Sequence, residues 1–481
     1  MRKSVALAAI GFAIAFSLCA ILTLLGIDKF YYVQAGGEKF ATFPDALAQW
    51  GVGLSYLALH GIYFYWLFFQ LHASRDPSFQ LCLRRGAGFL LLAFLAYPLG
   101  NDIYVYLHSG LINLAGENPY LTPADAFVSP LSPLVDWGQT STYGPFSQLL
   151  FAGSALTLAG HAIAAVYVFK LFCLGLHVLN SFLVWQLLAK DHREQWTMAY
   201  LLNPLLLMEQ VGSAHIDILV NTSFLVLAGL LFARWYALVW LPLCFGFLSK
   251  TLPLIWVPLV FIFLVKQRRW WQLVACVGLM VLLFVDLSLT SLPTLTAWKS
   301  LFNPGVTGQY RASLHEIVRF GVDTAQALFP AAISPVQERI YLGIVSQVLT
   351  AAYVLFYAGF ALRAYLRKTY DQTQLLEDLG WVTLALLLFA TAWVMPWYSS
   401  SLLAISVMIP ERRLFGLTCL VYSVTSSAQY ALQELDGLNS LIAIGLPLLV
   451  IVFHNVHWNW RSPQMSGFHS GLLLPYRKNE V

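Results

Sequence analysis

Charge is scarce in this sequence. Of its 481 residues only 10% are Asp, Glu, Lys or Arg, whereas soluble domains carry about a quarter. With 59% hydrophobic residues, the chain has no way to cover its apolar surface in water. An ordinary soluble fold is therefore excluded, and a lipid bilayer is the remaining home. Cysteine is equally sparse: Cys19, Cys82, Cys173, Cys244, Cys276 and Cys419, with no CxxC pair. That excludes a zinc site or a disulfide framework, and it reads as inert buried thiols. A Gly-rich dinucleotide fingerprint is missing, and no inside loop is large enough for a nucleotide-sugar domain. No internal repeat is visible, which weighs against a transporter or flippase built from two comparable halves. The net charge of +4 is small, and the basic residues are scattered through short loops. Such scatter signals topology rather than a nucleic-acid surface.

What is present is a series of apolar runs. Hydropathy predicts about fourteen spans, some of them short. They lie near 4–27, 47–71, 86–101, 162–189, 196–213, 216–233, 235–249, 251–265, 270–292, 338–362, 379–396, 399–410, 414–432 and 439–457. The first follows Arg2 and Lys3 and lacks a clean cleavage site, so it reads as an uncleaved span. With the N-terminus inside, the basic clusters all fall inside: Arg84 and Arg85, Lys190 and Arg193, Arg268 and Arg269, Arg367 and Lys368, Arg412 and Arg413. The fold class expected is thus all-α, a polytopic transmembrane bundle forming one domain over 1–460, with both termini cytoplasmic. A short polar tail is expected over 461–481. Two outer loops stand out, 102–160 and 293–337. The apolar stretch 146–160 in the first suits a helix lying along the membrane surface.

The chemistry concentrates at the outer ends of these runs. Gly100–Tyr120 opens with Asp102 at the end of an apolar segment, and a membrane protein rarely spends an acid there without use. Asp102 suits a general base that takes a proton from an acceptor hydroxyl; it equally suits a helix cap. Lys250, Arg311, His315 and Arg319 are outer-side cations able to meet a lipid phosphate. The last three are spaced i, i+4, i+8, so a helix would align them on one face. His215, Asp217, Trp397 and Tyr398 are polar or aromatic groups at outer span ends, suited to touching a sugar; the aromatics also suit an interfacial belt. Asp102, His215 and Asp217 form the one set a divalent ion would need, yet nothing in their spacing requires it. No metal or other cofactor is expected.

The order Asp102-Ile103-Tyr104, Gly110, Gly116-Glu117-Asn118-Pro119-Tyr120 and Tyr143-Gly144-Pro145 resembles the membrane-embedded GT-C glycosyltransferases. It is most similar to the bacterial polyprenyl-phosphate-mannose-dependent α-mannosyltransferases. Looser matches are Asn203-Pro204, His215-Ile216-Asp217, Ser249-Lys250 and Pro396-Trp397-Tyr398. The resemblance implies a helical bundle with surface helices in the first outer loop. It implies transfer of a sugar, with mannose the family-weighted choice, from a polyprenyl-phosphate sugar to a glycolipid or glycan acceptor. Transfer would occur with inversion on the extracytoplasmic side of the inner membrane, with Asp102 as catalytic base. Tyr104, Asn118, Tyr120 and Tyr143 would then stand among the sugar-binding residues, and Glu117-Asn118 replaces the Asp often found before this Pro-Tyr. The competing readings are an oligosaccharide ligase or polymerase using lipid diphosphates, and a transporter or flippase. A structural membrane subunit would leave the concentrated motif loop without a role.

Overall fold

Long apolar runs fold as helices here because, away from water, only a helix satisfies every backbone group within its own segment. The computed structural model describes residues 2–38, 43–71, 77–135, 137–159, 161–303, 309–329 and 334–461. Among these, helices account for nearly all regular structure, and the sole ladder contact is an isolated parallel bridge between Arg311 and Trp393. The helices are α1 (Arg2–Gln34), α2 (Ala46–Tyr65), α3 (Phe79–Leu95), α4 (Asp102–Leu114), α5 (Pro145–Ala155), α6 (Ala162–Leu187) and α7 (Lys190–Leu201). They continue as α8 (Ile218–Phe232), α9 (Trp240–Phe247), α10 (Val257–Lys266), α11 (Trp270–Leu289), α12 (Leu295–Phe302) and α13 (Leu314–Leu328). The last are α14 (Pro335–Leu366), α15 (Gln372–Ala385), α16 (Ser400–Met408), α17 (Arg413–Ala428) and α18 (Asp436–Arg461).

Seven helices among the described residues are long and apolar enough to cross a membrane: Val5–Gln34, Ala46–Gln70, Ala162–Leu187, Trp270–Leu289, Val336–Leu366, Gln372–Ala390 and Gly437–His454. Each coincides with an expected run. The other runs are shorter helical pieces; Ile218–Phe232, Tyr236–Phe247 and Leu252–Lys266 are apolar but under eighteen residues. Helix α14 buries only 6% of its apolar window inside the protein. Its exposed Ile344, Val348, Val354 and Leu355 need lipid around them. The chain is therefore a multi-pass membrane protein. The expected tail lies outside the described residues from 462 onward.

Local chemistry sets the ends. Pro98 follows the end of α3, where it cannot continue a helix. Ser78, Ser313 and Ser334 cap α3, α13 and α14 by accepting backbone N–H groups, the last in a full capping box with Gln337. The segment 102–160 contains two helices, α4 and α5, packed so closely that a Cβ at Gly110 would meet the backbone of Phe151 at 2.4 Å. The Tyr143-Gly144-Pro145 motif docks this loop onto the segment before Lys250. Gly144 N–H donates to the Ser249 carbonyl (3.0 Å) and Phe146 N–H to the Leu248 carbonyl (2.8 Å). A Cβ at Gly144 would lie 2.2 Å from that Leu248 oxygen, so only glycine permits the approach.

Candidate active site

Asp102 is the first residue of α4, and Asn101 before it supplies no side-chain cap. A carboxylate in this position gains from the helix dipole, which favours the ionised form. Side chains at i, i+3, i+4 and i+7 share a helix face, and on α4 these are Asp102, Val105, Tyr106 and Ser109. All four line a cavity of about 880 Å³. The far wall comes from Asp217 at the start of α8, Lys250 after α9, and Trp397 and Tyr398 before α16. Its lining includes the polar side chains of His108, Gln139, Thr140 and Ser141. The lining also includes apolar side chains, among them Leu254, Ile255, Leu386, Leu387 and Ala390, and Thr350 on the lipid-facing α14. A second, apolar cleft of about 590 Å³ lies among α1, α2 and α3, lined by Ala15, Trp66 and Phe89 among others.

The charges in the main cavity are arranged in two pairs of contacts. Lys250 Nζ donates to both carboxylate oxygens of Asp217, at 2.8 and 2.9 Å, and sits 4.4 Å over the ring of Tyr398. An ammonium has three N–H donors, so one remains to meet a further anion. His215 lies behind Asp102, with Nδ1 at 4.0 Å from Asp102 Oδ2. Its Nε2 is 3.5 Å from Oε2 of Glu209. The ring is stacked on Trp397 at 3.6 Å and 17°. Tyr106 is stacked on Phe151 at 4.8 Å, and its hydroxyl meets that of Tyr143 at 3.4 Å.

Several sequence expectations land elsewhere. Tyr104 points to the opposite side of α4 from the cavity lining: it packs on Phe30 and donates to the Tyr97 hydroxyl at 2.9 Å. Asn118 makes a turn, accepting from Tyr120 N–H and donating to the Ser291 carbonyl. Tyr120 is buried and donates to the Tyr143 carbonyl, so both hold the loop's shape. Arg311, His315 and Arg319 do not share a helix face. Ser313 caps α13, which leaves Arg311 in the preceding extended segment, paired with the backbone of Ala392 and Val394. Its guanidinium lies 5.8 Å from the ring of Trp393, a residue of the cavity wall. His315 is buried against Tyr310, and burial pushes its ring below the ordinary histidine range. Arg319 faces outward and pairs with Asp323 at 3.4 Å. Of the four cations expected to meet a phosphate, Lys250 alone lines the cavity. No group of three or more His, Cys, Asp or Glu among the described residues is positioned to hold a metal ion.

Sequence reasoning missed Glu209. It is an acid inside the apolar run Leu205–Val211, fully buried, on a π-helical turn spanning Leu206–Gly212. An acid within a span is itself a signal of function, and it was available in the sequence.

Residues 37–266 match the family model described as alpha-(1->6)-mannopyranosyltransferase, N-terminal domain. The matched segment contains Asp102, the motif loop to Pro145, Glu209, His215, Asp217 and Lys250; it stops before Arg311 and Trp397. No curated protein and no solved structure matches the chain. The resemblance drawn from the motifs between Asp102 and Pro145 is thus borne out: residues 37–266, just under half of the chain, are similar to a mannosyltransferase N-terminal domain.

Proposed function

We propose that the chain transfers a sugar, mannose by family, from a polyprenyl-phosphate sugar to a glycolipid or glycan hydroxyl. The reaction runs with inversion on the extracytoplasmic side of the inner membrane. The observation that carries this reading is the double character of the main cavity. A carboxylate, a lysine and hydroxyl-bearing side chains line it together with apolar residues of the segments 252–255 and 386–390 and with Thr350 of α14. A donor whose polar head is a sugar phosphate and whose tail is a lipid suits both kinds of lining; a nucleotide sugar has no use for the apolar residues.

The chemistry follows from the side chains. The acceptor oxygen attacks the anomeric carbon while Asp102 takes its proton. The C–O bond to the phosphate breaks, and the lipid phosphate leaves with the electron pair. Lys250 offers its remaining N–H to that phosphate, and Arg311 supports it from behind Trp393. Asp217 holds the lysine in position. Tyr106, Tyr143 and Tyr398 supply hydroxyls and ring faces to the sugar. Trp397 has one face already covered by His215, so only its other face is free for a sugar. The bundle over 1–460 acts as one domain with both termini inside, and α4 and α5 lie at the outer membrane surface, where Leu149 and Leu156 are exposed.

The reaction class is tested with membranes containing the protein, offered radiolabelled mannose either on polyprenyl phosphate or on a nucleotide. Labelled product is expected from the lipid-linked donor. Product from the nucleotide sugar alone, in membranes unable to make the lipid-linked form, would overturn the reading.

A further inference from the structure

Burying an ionised carboxylate inside a membrane bundle is costly, and an apolar residue of similar size would usually serve stability as well. Glu209 is fully buried all the same. Its surroundings are specific. Tyr56 from α2 and Tyr430, just after α17, both donate to Oε1, at 2.9 and 2.8 Å, with their rings stacked at 5.2 Å. Oε2 has no hydrogen-bond donor among the described residues, and it is the oxygen that faces His215 Nε2 at 3.5 Å. The π-helical turn that carries Glu209 ends at Gly212, two residues before Ala214, whose φ of 59° is unusual for a residue with a side chain. This kink delivers the following residue, His215, between Glu209 and Asp102. Local distortions of this kind cluster at functional sites. Trp397 covers the ring's face, so the imidazole is fixed edge-on, with one nitrogen toward each acid.

We infer that Glu209 and His215 form a dyad that serves Asp102 as its proton acceptor, with Glu209 holding His215 in the tautomer protonated at Nε2. The functional part of this inference rests on the proposed glycosyl transfer. With Nε2–H directed at Glu209 Oε2, Nδ1 carries a lone pair aimed at Asp102 Oδ2. The proton that Asp102 takes from the acceptor hydroxyl passes to Nδ1. The imidazolium then lies between two carboxylates, Asp102 is again an anion, and Nε2–H stays on Glu209. The proton returns through Asp102 to water when product leaves the cavity. The 4.0 Å gap to Asp102 shortens when an acceptor compresses the site, as hydrogen bonds of unliganded catalytic groups commonly do. Glu209 is a positioning residue in this scheme, since it touches only the histidine.

Glu209→Gln separates this role from a structural one. The two tyrosine hydroxyls keep the carbonyl oxygen of the glutamine, so its NH2 faces Nε2. Nε2 must then accept, and the ring is driven to the tautomer protonated at Nδ1. The readout is ¹⁵N solid-state NMR of histidine-labelled protein in lipid vesicles, with His215 assigned as the signal lost in His215→Gln. The expected result is Nε2 protonation in the wild type and Nδ1 protonation in Glu209→Gln. A wild-type ring protonated at Nδ1, or the same tautomer in both proteins, would overturn the dyad. In the transfer assay Glu209→Gln is expected to lower kcat by about 10²-fold or more with KM near the wild-type value; in serine proteases the corresponding amide change costs about 10⁴ through the wrong tautomer. An unchanged kcat beside a switched tautomer would also overturn it. Absence of transfer by the wild type from any donor would count against the proposed function alone, because the tautomer measurement still decides the dyad.

Discussion

Replacing Lys250 by methionine is expected to damage both the fold and the reaction, and a second substitution separates the two effects. Asp217 is 6% exposed and Lys250 19%, and the pair is made by two hydrogen bonds. Removing one partner of a buried pair leaves an uncompensated charge and costs about 3–5 kcal/mol; the partial exposure of the lysine puts this site at the lower end, about 3 kcal/mol. Lys250→Met alone should therefore lower the melting temperature in detergent markedly. Adding Asp217→Leu removes the stranded carboxylate and should restore most of that loss. Transfer should not return. The lysine's third N–H is the one donor from a cation lining the cavity that is left for the leaving phosphate, and losing such a group costs about 10²–10³ in kcat. A double variant that regained both stability and transfer would show that the pair only holds the cavity walls together.

Asp102→Asn should remove transfer while leaving the protein folded. The two side chains have nearly the same shape, and Asp102 is 25% exposed, so no cavity results. Loss of the favourable interaction with the α4 dipole costs about 1 kcal/mol or less. General-base catalysis supplies about 10²–10⁴ in rate, and the amide cannot accept the acceptor's proton. The measurement is the initial rate of sugar transfer in membranes with equal amounts of folded protein. An activity within a factor of about three of wild type would demote Asp102 to a residue at the start of a helix.

Much of the site was readable because charge is so rare in this chain. Asp102, Asp217 and Lys250 each interrupt an apolar stretch, and the fold brings all three to one cavity. Tyr143, Trp397 and Tyr398 join them there. Tyr104 was misjudged because a motif read as a string has no faces. Once α4 begins at Asp102, residue 104 lies about 200° around the helix from it, and Tyr106 is the one beside it. Arg311, His315 and Arg319 were aligned by spacing alone, and the Ser313 cap breaks that alignment. The seven long spans follow from composition. The shorter pieces between α7 and α10 depend on packing that hydropathy does not encode. There Asn203 caps the turn into the π-helix through its side-chain oxygen. Glu209 escapes a reading built on span ends because it lies within an apolar run.

The central claim is that the cavity beside Asp102 and Lys250 holds a lipid phosphate with its tail along the apolar residues of the lining. The most direct measurement is photolabelling in membranes with a polyprenyl phosphate carrying a diazirine next to the phosphate, followed by peptide mapping. The account predicts label in the segments 248–256 and 386–398, displaced by excess polyprenyl-phosphate sugar. Label confined to the cleft among α1, α2 and α3, or label that the sugar-bearing donor does not displace, would contradict it.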